Sequence, residues 1–306
     1  MAGRVTLRDV AEASGVSRAT VSFVLNNAPG QTIPAATRAR VEQAARDLGY
    51  VPHGIARALR EGSSRIVVLN IGANLEGNYS QTYIRGLSEE LARHDHLLLV
   101  QHDELTQRVF KQIQDTIAPR AVIRFAENYL TGRELDDGGW QTGMASHTAI
   151  QIAHLAERGH THVAMAIPAD EPPLGDVRFR FATESARALG IAPPQRLLVP
   201  VSRVDAATAL RTFLGANPAT TAVAGFVDET ALRVIKAALD LGRRVPDDLA
   251  VIGYDATPYA ELSTPTLTTV HIDAEAHGRQ TARAIVGLDA GDLAPQRAQV
   301  VVGEST

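Results

Sequence analysis

Along the first fifty residues, apolar side chains recur at three- and four-residue spacing, the period that lines one side of an α-helix. Val10 and Ala11 lie on one face of a run that Thr6 can cap and Gly15 ends, and a second run starts after Ser17, another good N-cap. In that second run Val21, Val24 and Leu25 share one side, while Ala19, Ser22, Phe23 and Asn26 share the other with Arg18 at its edge. The first set packs on Val10 and Ala11, which turns the second set outward. A third helix is expected from Pro34 to about Leu48, with Gly49 past its end and Val41, Ala45 and Leu48 on one face. Residues 52–60 carry Ile55 and Leu59 one turn apart but hold Gly54 between Pro52 and Ile55. Two turns with a glycine inside do not stand alone, so this piece is expected to order against a partner.

From Arg65 the pattern changes to short apolar runs alternating with helical stretches, the signature of a parallel sheet covered by helices. Strands are expected at 66–71, 97–101, 121–125, 163–167, 197–201, 222–226 and 249–254, with another at 300–302. The rhythm breaks near residues 126–145, which divides the strands between two lobes.

The head has the order helix, glycine turn, helix, which is the grammar of a helix-turn-helix. A single exposed aromatic such as Phe23 is common on any surface. Beside Arg18, a groove-reading face explains it better, because arginine bonds guanine at two acceptors and an aromatic ring contacts the thymine methyl.

The run Val16-Ser17-Arg18-Ala19-Thr20-Val21-Ser22-Phe23-Val24-Leu25-Asn26, followed later by Ala56-Arg57-Ala58-Leu59, closely resembles the recognition helix and hinge helix of the lactose/galactose repressor family. That resemblance implies base-reading positions at Arg18, Ala19 and Phe23. It places Thr20, Ser22 and Asn26 near phosphates and makes Leu59 a wedge for the minor groove. Thr6, Ser17, Arg57, Ala58 and Arg60 complete the DNA-facing set. A wedge has its own physical rationale, since an apolar side chain between base pairs kinks the duplex and brings more protein surface to it.

The resemblance extends through the body at Glu157-Arg158-Gly159-His160, Asp228-Glu-Thr-Ala-Leu232, Val245-Pro-Asp-Asp-Leu-Ala-Val-Ile-Gly-Tyr-Asp255 and Pro265-Thr-Leu-Thr-Thr-Val270. It implies an all-α helix-turn-helix head at 1–50, a hinge helix at 51–62, and at 63–306 an α/β body of two Rossmann-like lobes, like a periplasmic binding protein. It also implies a homodimer on near-palindromic double-stranded operator DNA and a small sugar-like effector between the lobes, with Asp255 and Arg178 as effector contacts. Ligands in such sheets bind beyond the carboxyl ends of strands, and Asp255 stands at one. A structural ion pair is an equal alternative for Arg178, which lies near Arg180 and two phenylalanines.

The chain departs from the family pattern in three places. Phe181 and Ala182 replace a glycine and an aromatic, Val227 stands where asparagine is frequent, and the stretch from Phe125 to Ser146 is too short for the usual strand and crossover. A regulator with a degenerate pocket and no small-molecule control is therefore an alternative, and a solute-binding protein is a more distant one.

The formal net charge of −4 conceals an asymmetry, with about +3 on residues 1–62 and −7 on the rest. A basic head neutralises phosphates while an acidic body is repelled by them. The absence of cysteine excludes disulfides, cysteine–zinc sites and thiol catalysis. His94, His96, His102, His160 and His162 lack the spacing of a metal site and read as structural or surface residues. No catalysis, cofactor, metal or membrane span is expected, and the protein is expected in the cytoplasm.

Overall fold

The computed structural model describes residues 5–25, 32–50, 62–71, 78–102, 105–130, 143–170, 174–289, 291, 293 and 295–306. It divides into two compact units, Met1–Ser64 with Ile113–Ala118, and Arg65–Gln112 with Pro119–Thr306. The proposed hinge at 51–62 lies, apart from Gly62, outside the described residues, as do Asn26, Arg57, Ala58, Leu59 and Arg60.

In the first unit, α1 (Leu7–Ser14), α2 (Arg18–Leu25) and α3 (Ala35–Asp47) close around Val10, Ala11, Val21, Val24, Val41 and Ala45. Gly15 makes the sharp α1–α2 turn with φ +65°, a left-handed C-cap that costs glycine nothing. Thr6 donates its backbone N–H to Asp9 Oδ2 at 2.7 Å, and the Thr20 N–H donates to Ser17 Oγ at 3.1 Å, so both helix starts are fixed by their caps. The last carbonyls of a helix lack intrahelical partners. Here Arg40 Nε donates to Ser14 O at 2.9 Å and Arg38 Nη1 to Val24 O at 3.4 Å, tying α3 to both. Leu48, expected on the buried face, is 37% exposed because the helix ends one residue earlier and the chain leaves its period. Tyr50 packs on the cluster instead.

The body has two parallel sheets. In the first lobe β1 (Ile66–Asn70), β2 (Leu97–Gln101) and β3 (Ala121–Arg124) lie in the order β2-β1-β3, with α4 (Asn78–Arg93) after β1, α5 (Gln107–Ile117) after β2 and the short α6 (Glu127–Leu130) after β3. Among the described residues this sheet has no fourth strand, in keeping with the short stretch before α7 (Met144–Glu157). The second lobe orders β4 (Val163–Pro168), β5 (Gln195–Val199), β6 (Ala222–Gly225) and β7 (Ala250–Ile252) as β5-β4-β6-β7, with α8 (Gly175–Ala188), α9 (Arg203–Ala216) and α10 (Asp228–Asp240) between them.

Strand alternation sends neighbouring side chains to opposite faces. Ala164, Ala166, Val223 and Val251 join the cluster under α9 and α10, whereas Val163, Met165, Ala222, Ala224 and Ile252 join the one under α7 and α8. The sheet is thus buried on both sides, which explains why its strands read as continuous apolar runs. The strand expected at 197–201 lies at Gln195–Val199 because Pro200 cannot continue it, and Val201 is 76% exposed. After β7 come α11 (Tyr259–Leu262), β8 (Thr269–His271), α12 (Ala274–Val286) and β9 (Gln299–Val301); β8 pairs antiparallel with β9 and was not anticipated.

Helix α12 returns to the first lobe and packs against α4 through two glycines. A Cβ on Gly86 would lie 2.0 Å from the Glu275 carbonyl oxygen, and one on Gly278 would lie 2.2 Å from that of Tyr83. This close approach aligns two cross-helix bonds one turn apart, Tyr79 Oη with His277 Nδ1 at 3.0 Å and Tyr83 Oη to Thr281 Oγ1 at 3.1 Å. Both contacts are to backbone, which cannot rotate aside. Gly278→Ala and Gly86→Ala should therefore each lower unfolding free energy by about 1–3 kcal/mol or more through overpacking. Together they should cost less than their sum, because the first already separates the helices. Chemical denaturation of the single and double variants measures both effects.

Candidate functional site

Strand order decides where the body can hold a ligand. In each lobe the central strand is flanked by neighbours that follow it in opposite directions across the sheet, and such switch points open a crevice beyond the strand ends. Tyr79 follows β1, Phe125 follows β3, Arg178 follows β4 and Phe226 follows β6. All four line one cavity of about 720 Å³, so the switch points of the two lobes face the same space.

The wall contributed by the first lobe is aromatic. The Tyr79 and Tyr83 rings stack at 6.3 Å, and Phe125 lies edge-on to Tyr83 at 5.4 Å. His277, from α12, faces His147, from α7, across 6.2 Å at 29°. Burial pushes His147 down to about 3, aided by the nearby His277 and Arg178, and burial also lowers His277 against the opposing pull of Asp273. Both imidazoles are therefore neutral at ordinary pH, and burial keeps Tyr79, Tyr83 and Tyr254 protonated.

The second lobe supplies the charges. Arg178 is 2% exposed and is held on every side: Nη2 donates to Gln151 Oε1 at 2.7 Å, Nη1 to the Phe226 carbonyl, and Nε to Thr148 Oγ1 at 3.4 Å. Its Cζ sits 3.5 Å from the centroid of the Tyr254 ring. The guanidinium is thus built into the cavity wall, with each of its three nitrogens donating one bond to the protein.

Asp255 differs. It is 6% exposed, its Oδ1 has no hydrogen-bond partner, and its backbone sits at φ +98°. Burial pushes its carboxyl up to about 7, with Arg178 and the Tyr79 backbone N–H pulling down and Asp228 pushing up. A buried acceptor left unmatched is costly in the empty site and becomes an asset when a ligand brings a donor.

The head presents the other candidate surface. Arg18 and Ala19 are exposed on α2 beside Phe23, which is 37% exposed. Thr20 and Ser22 are half-buried at its flanks, and Thr6 and Ser17 are exposed caps. The two effector candidates meet in one cavity, as the strand-end rule requires. The aromatic and histidine wall was missed, although Phe125, Phe226 and Tyr254 could have been found by applying the same rule to every strand.

Residues 6–53 match the model of the lacI family of bacterial regulatory proteins, and residues 152–306 match that of the periplasmic binding protein-like domain. The chain joins a lacI-family head to a periplasmic binding protein-like domain. It is a DNA-binding transcriptional regulator with a periplasmic-binding-protein-like body, not an enzyme. It is similar to the transcriptional repressor CytR of Escherichia coli K12, 28% identical over 289 residues that cover 87% of this chain and 84% of that one. The ribose operon repressor of Bacillus subtilis 168 is also 28% identical, over 302 residues covering 92% and 91%. Its fold is similar to that of the lac repressor dimer bound to operator and an anti-inducer, with a TM-score of 0.78, 21% identity and 99% of each chain covered.

The buried carboxyl has a consequence for the stability of this regulator. With its folded value raised above the unfolded one, Asp255 keeps a proton between about pH 4 and 7 that the unfolded chain has lost, so its contribution is lost as pH rises through about 7. His147 works oppositely, since its folded value is lowered and its contribution is lost as pH falls from 6.5 toward 3. Asp255→Asn should stabilise the ligand-free protein at pH 8 by about 1–4 kcal/mol, the upper figure corresponding to the full shift. It should also remove the falling limb due to Asp255, leaving the rise below pH 6.5 to which His147 and His277 contribute. Urea denaturation from pH 4 to 8 tests this, and unchanged stability at pH 8 would contradict it.

Proposed function

We propose that this regulator binds a near-palindromic operator as a homodimer in the cytoplasm and is controlled by a small, sugar-like effector held between the lobes. The observation that carries the effector reading is the unmatched, buried Oδ1 of Asp255 in a cavity large enough for a mono- or disaccharide-sized molecule. A hydroxyl or N–H on the ligand would give that oxygen its donor, and the aromatic side chains along the first lobe's wall offer apolar surface to a sugar ring. Arg178 shapes and charges the wall, three of its five N–H donors being held by Thr148, Phe226 and Gln151 and two remaining for a ligand. The ribose operon repressor and the CelR–cellobiose complex among the similar proteins support a carbohydrate as the first class to try.

On the DNA side, Arg18, Ala19 and Phe23 are assigned to base edges, and Thr6, Ser17, Thr20, Ser22 and Asn26 to the backbone around them. Residues 51–62 are assigned as the hinge helix, with Leu59 as the wedge and Arg57, Ala58 and Arg60 beside it. A dimer is supported by the family's DNA-reading geometry, in which two-fold symmetry doubles a short half-site. Among the described residues no helix is long and apolar enough to cross a membrane.

Selection of bound sites from random DNA should return a near-palindrome. Arg18→Ala should then cost about 1–3 kcal/mol and relax preference at one guanine-containing position in each half-site. Arg57→Ala or Arg60→Ala should weaken binding to all sequences and flatten its salt dependence. Uniform loss from all three would make Arg18 a phosphate contact. For the body, a thermal-shift screen of ribose, cellobiose and related metabolites should give a hit that Asp255→Ala loses while its ligand-free affinity for the operator is retained. A complete absence of hits, with DNA binding intact, would favour a regulator without small-molecule control.

A further inference from the structure

The turn that carries Asp255 is strained in a way that needs a holder. Asp255 and Ala256 are consecutive non-glycine residues in the left-handed region, at φ +98° and +46°. Such residues cost of order 1–3 kcal/mol each and persist only where surrounding contacts over-determine them. The Asp255 N–H donates to the Val270 carbonyl at 3.0 Å and the Ala256 N–H to Thr269 Oγ1 at 3.2 Å, and the residues on either side of the pair are held by Asp228, the first residue of α10, which is fully buried. Its Oδ1 accepts from the Tyr254 N–H at 2.8 Å and from the Thr269 hydroxyl, and its Oδ2 accepts from the Thr257 N–H at 2.6 Å and the Thr257 hydroxyl at 2.9 Å. The two backbone donors flank the strained pair, so one carboxylate grips the turn at both ends. The Asp228 N–H returns a bond to the Tyr254 carbonyl at 2.9 Å. Gly253 makes room for this approach, since a Cβ there would lie 2.1 Å from Asp228 Oδ1.

We propose that Asp228 is a positioning residue for the effector site, holding the 254–257 turn in the strained form that presents the Asp255 carboxyl to the cavity. The inference rests on the reading of Asp255 as the effector contact. Asp228 itself never meets the ligand, because all four of its acceptor positions are occupied by donors of its own lobe. Two backbone N–H groups and two hydroxyls face it and favour its anion, against burial, which raises the carboxyl above its ordinary value. An asparagine has the same shape but fails, because either orientation of its amide points an NH2 at a backbone N–H, of Tyr254 or of Thr257. From the first lobe, Asn78 Nδ2 donates to the Asp255 carbonyl at 2.6 Å. The turn is therefore held by Asp228, Thr269 and Val270 within its own lobe and touched by the other lobe, where a shift in its geometry would be felt.

The test reads Asp255 directly and needs no ligand. In full-length protein labelled with 13C at the aspartate carboxyl, the Asp255 resonance is titrated in wild type, Thr257→Val, Thr257→Ser and Val234→Ala. Thr257→Val removes one donor from Asp228 without altering any charge, Thr257→Ser restores the hydroxyl, and Val234→Ala weakens the same helix elsewhere. Relaxation of the turn should lower the Asp255 midpoint by about one unit or more in Thr257→Val, toward the ordinary carboxylate range, with recovery in Thr257→Ser and no movement in Val234→Ala. Asp228→Asn should lower it further, part of that change coming from the lost neighbouring charge. An unmoved midpoint in Thr257→Val, or an equal movement in Val234→Ala, would overturn the proposal. The outcome is independent of whether a carbohydrate binds, so failure of the effector reading and failure of this one are separable.

Discussion

A carboxylate taken out of water must be met by donors or be lifted toward neutrality, and the second lobe meets this constraint in two opposite ways. Asp228 is surrounded by four donors and serves as a structural anchor. Twenty-seven residues later, at the end of the neighbouring strand, Asp255 keeps an oxygen bare at comparable depth. The second arrangement depends on the first, because the turn that exposes the bare oxygen holds two residues in a conformation they would otherwise leave. Gln151 extends the same support. Its amide nitrogen donates to the Gly225 and Gly253 carbonyls at 2.9 and 3.0 Å while its oxygen takes the Arg178 guanidinium. The open ends of β6 and β7 and the buried cation are thereby satisfied by one side chain from α7, leaving Asp255 as the unmatched group that faces the cavity.

This arrangement gives the body a physical means of control. A ligand shifts an equilibrium only by binding its two states unequally. The cavity draws its aromatic wall from the first lobe and its charged groups from the second, so a molecule that fills it touches both. Among the described residues the polar links across it include the Tyr79 N–H toward Asp255, Asn78 on the turn carbonyls, and a pair of neutral imidazoles. A ligand donor to Asp255 competes with some of these and adds to others. The sign of the response therefore follows from which lobe separation best serves that one oxygen.

Much of the fold was legible because its signals are local. Helix caps, the glycine turn and the two periodicities each depend on a few neighbouring residues, and they placed α1 to α3 and β1 to β7 to within a few positions. What escaped depends on distant partners. Strand β8 is three residues long and exists by pairing with β9 some thirty positions on, and a segment containing two prolines and four threonines shows no alternation to announce it. The burial of His147 and the commitment of the Arg178 donors follow from packing between α7, α8 and the ends of β6, which residue type alone does not reveal. Asp228 was visible as part of a motif, yet its four donors come from residues 26 to 41 positions away.

The head shows how the same residue type divides between two tasks. Counting its arginines suggests a surface devoted to phosphate, but Arg38 and Arg40 reach back to the carbonyls that end α2 and α1 and hold the three helices together. Their positive charge remains available to the field around the head, since hydrogen bonding to a neutral carbonyl does not cancel it. In the proposed reading the base-edge contacts of the head fall on α2, whose inward residues, Val21 and Val24, are fully committed to the core. Its outward residues contribute little to stability. If Arg18, Ala19 and Phe23 read bases as proposed, their replacement changes which bases are read while the scaffold that presents them stays as it is, which is the condition under which one small fold can serve many operators.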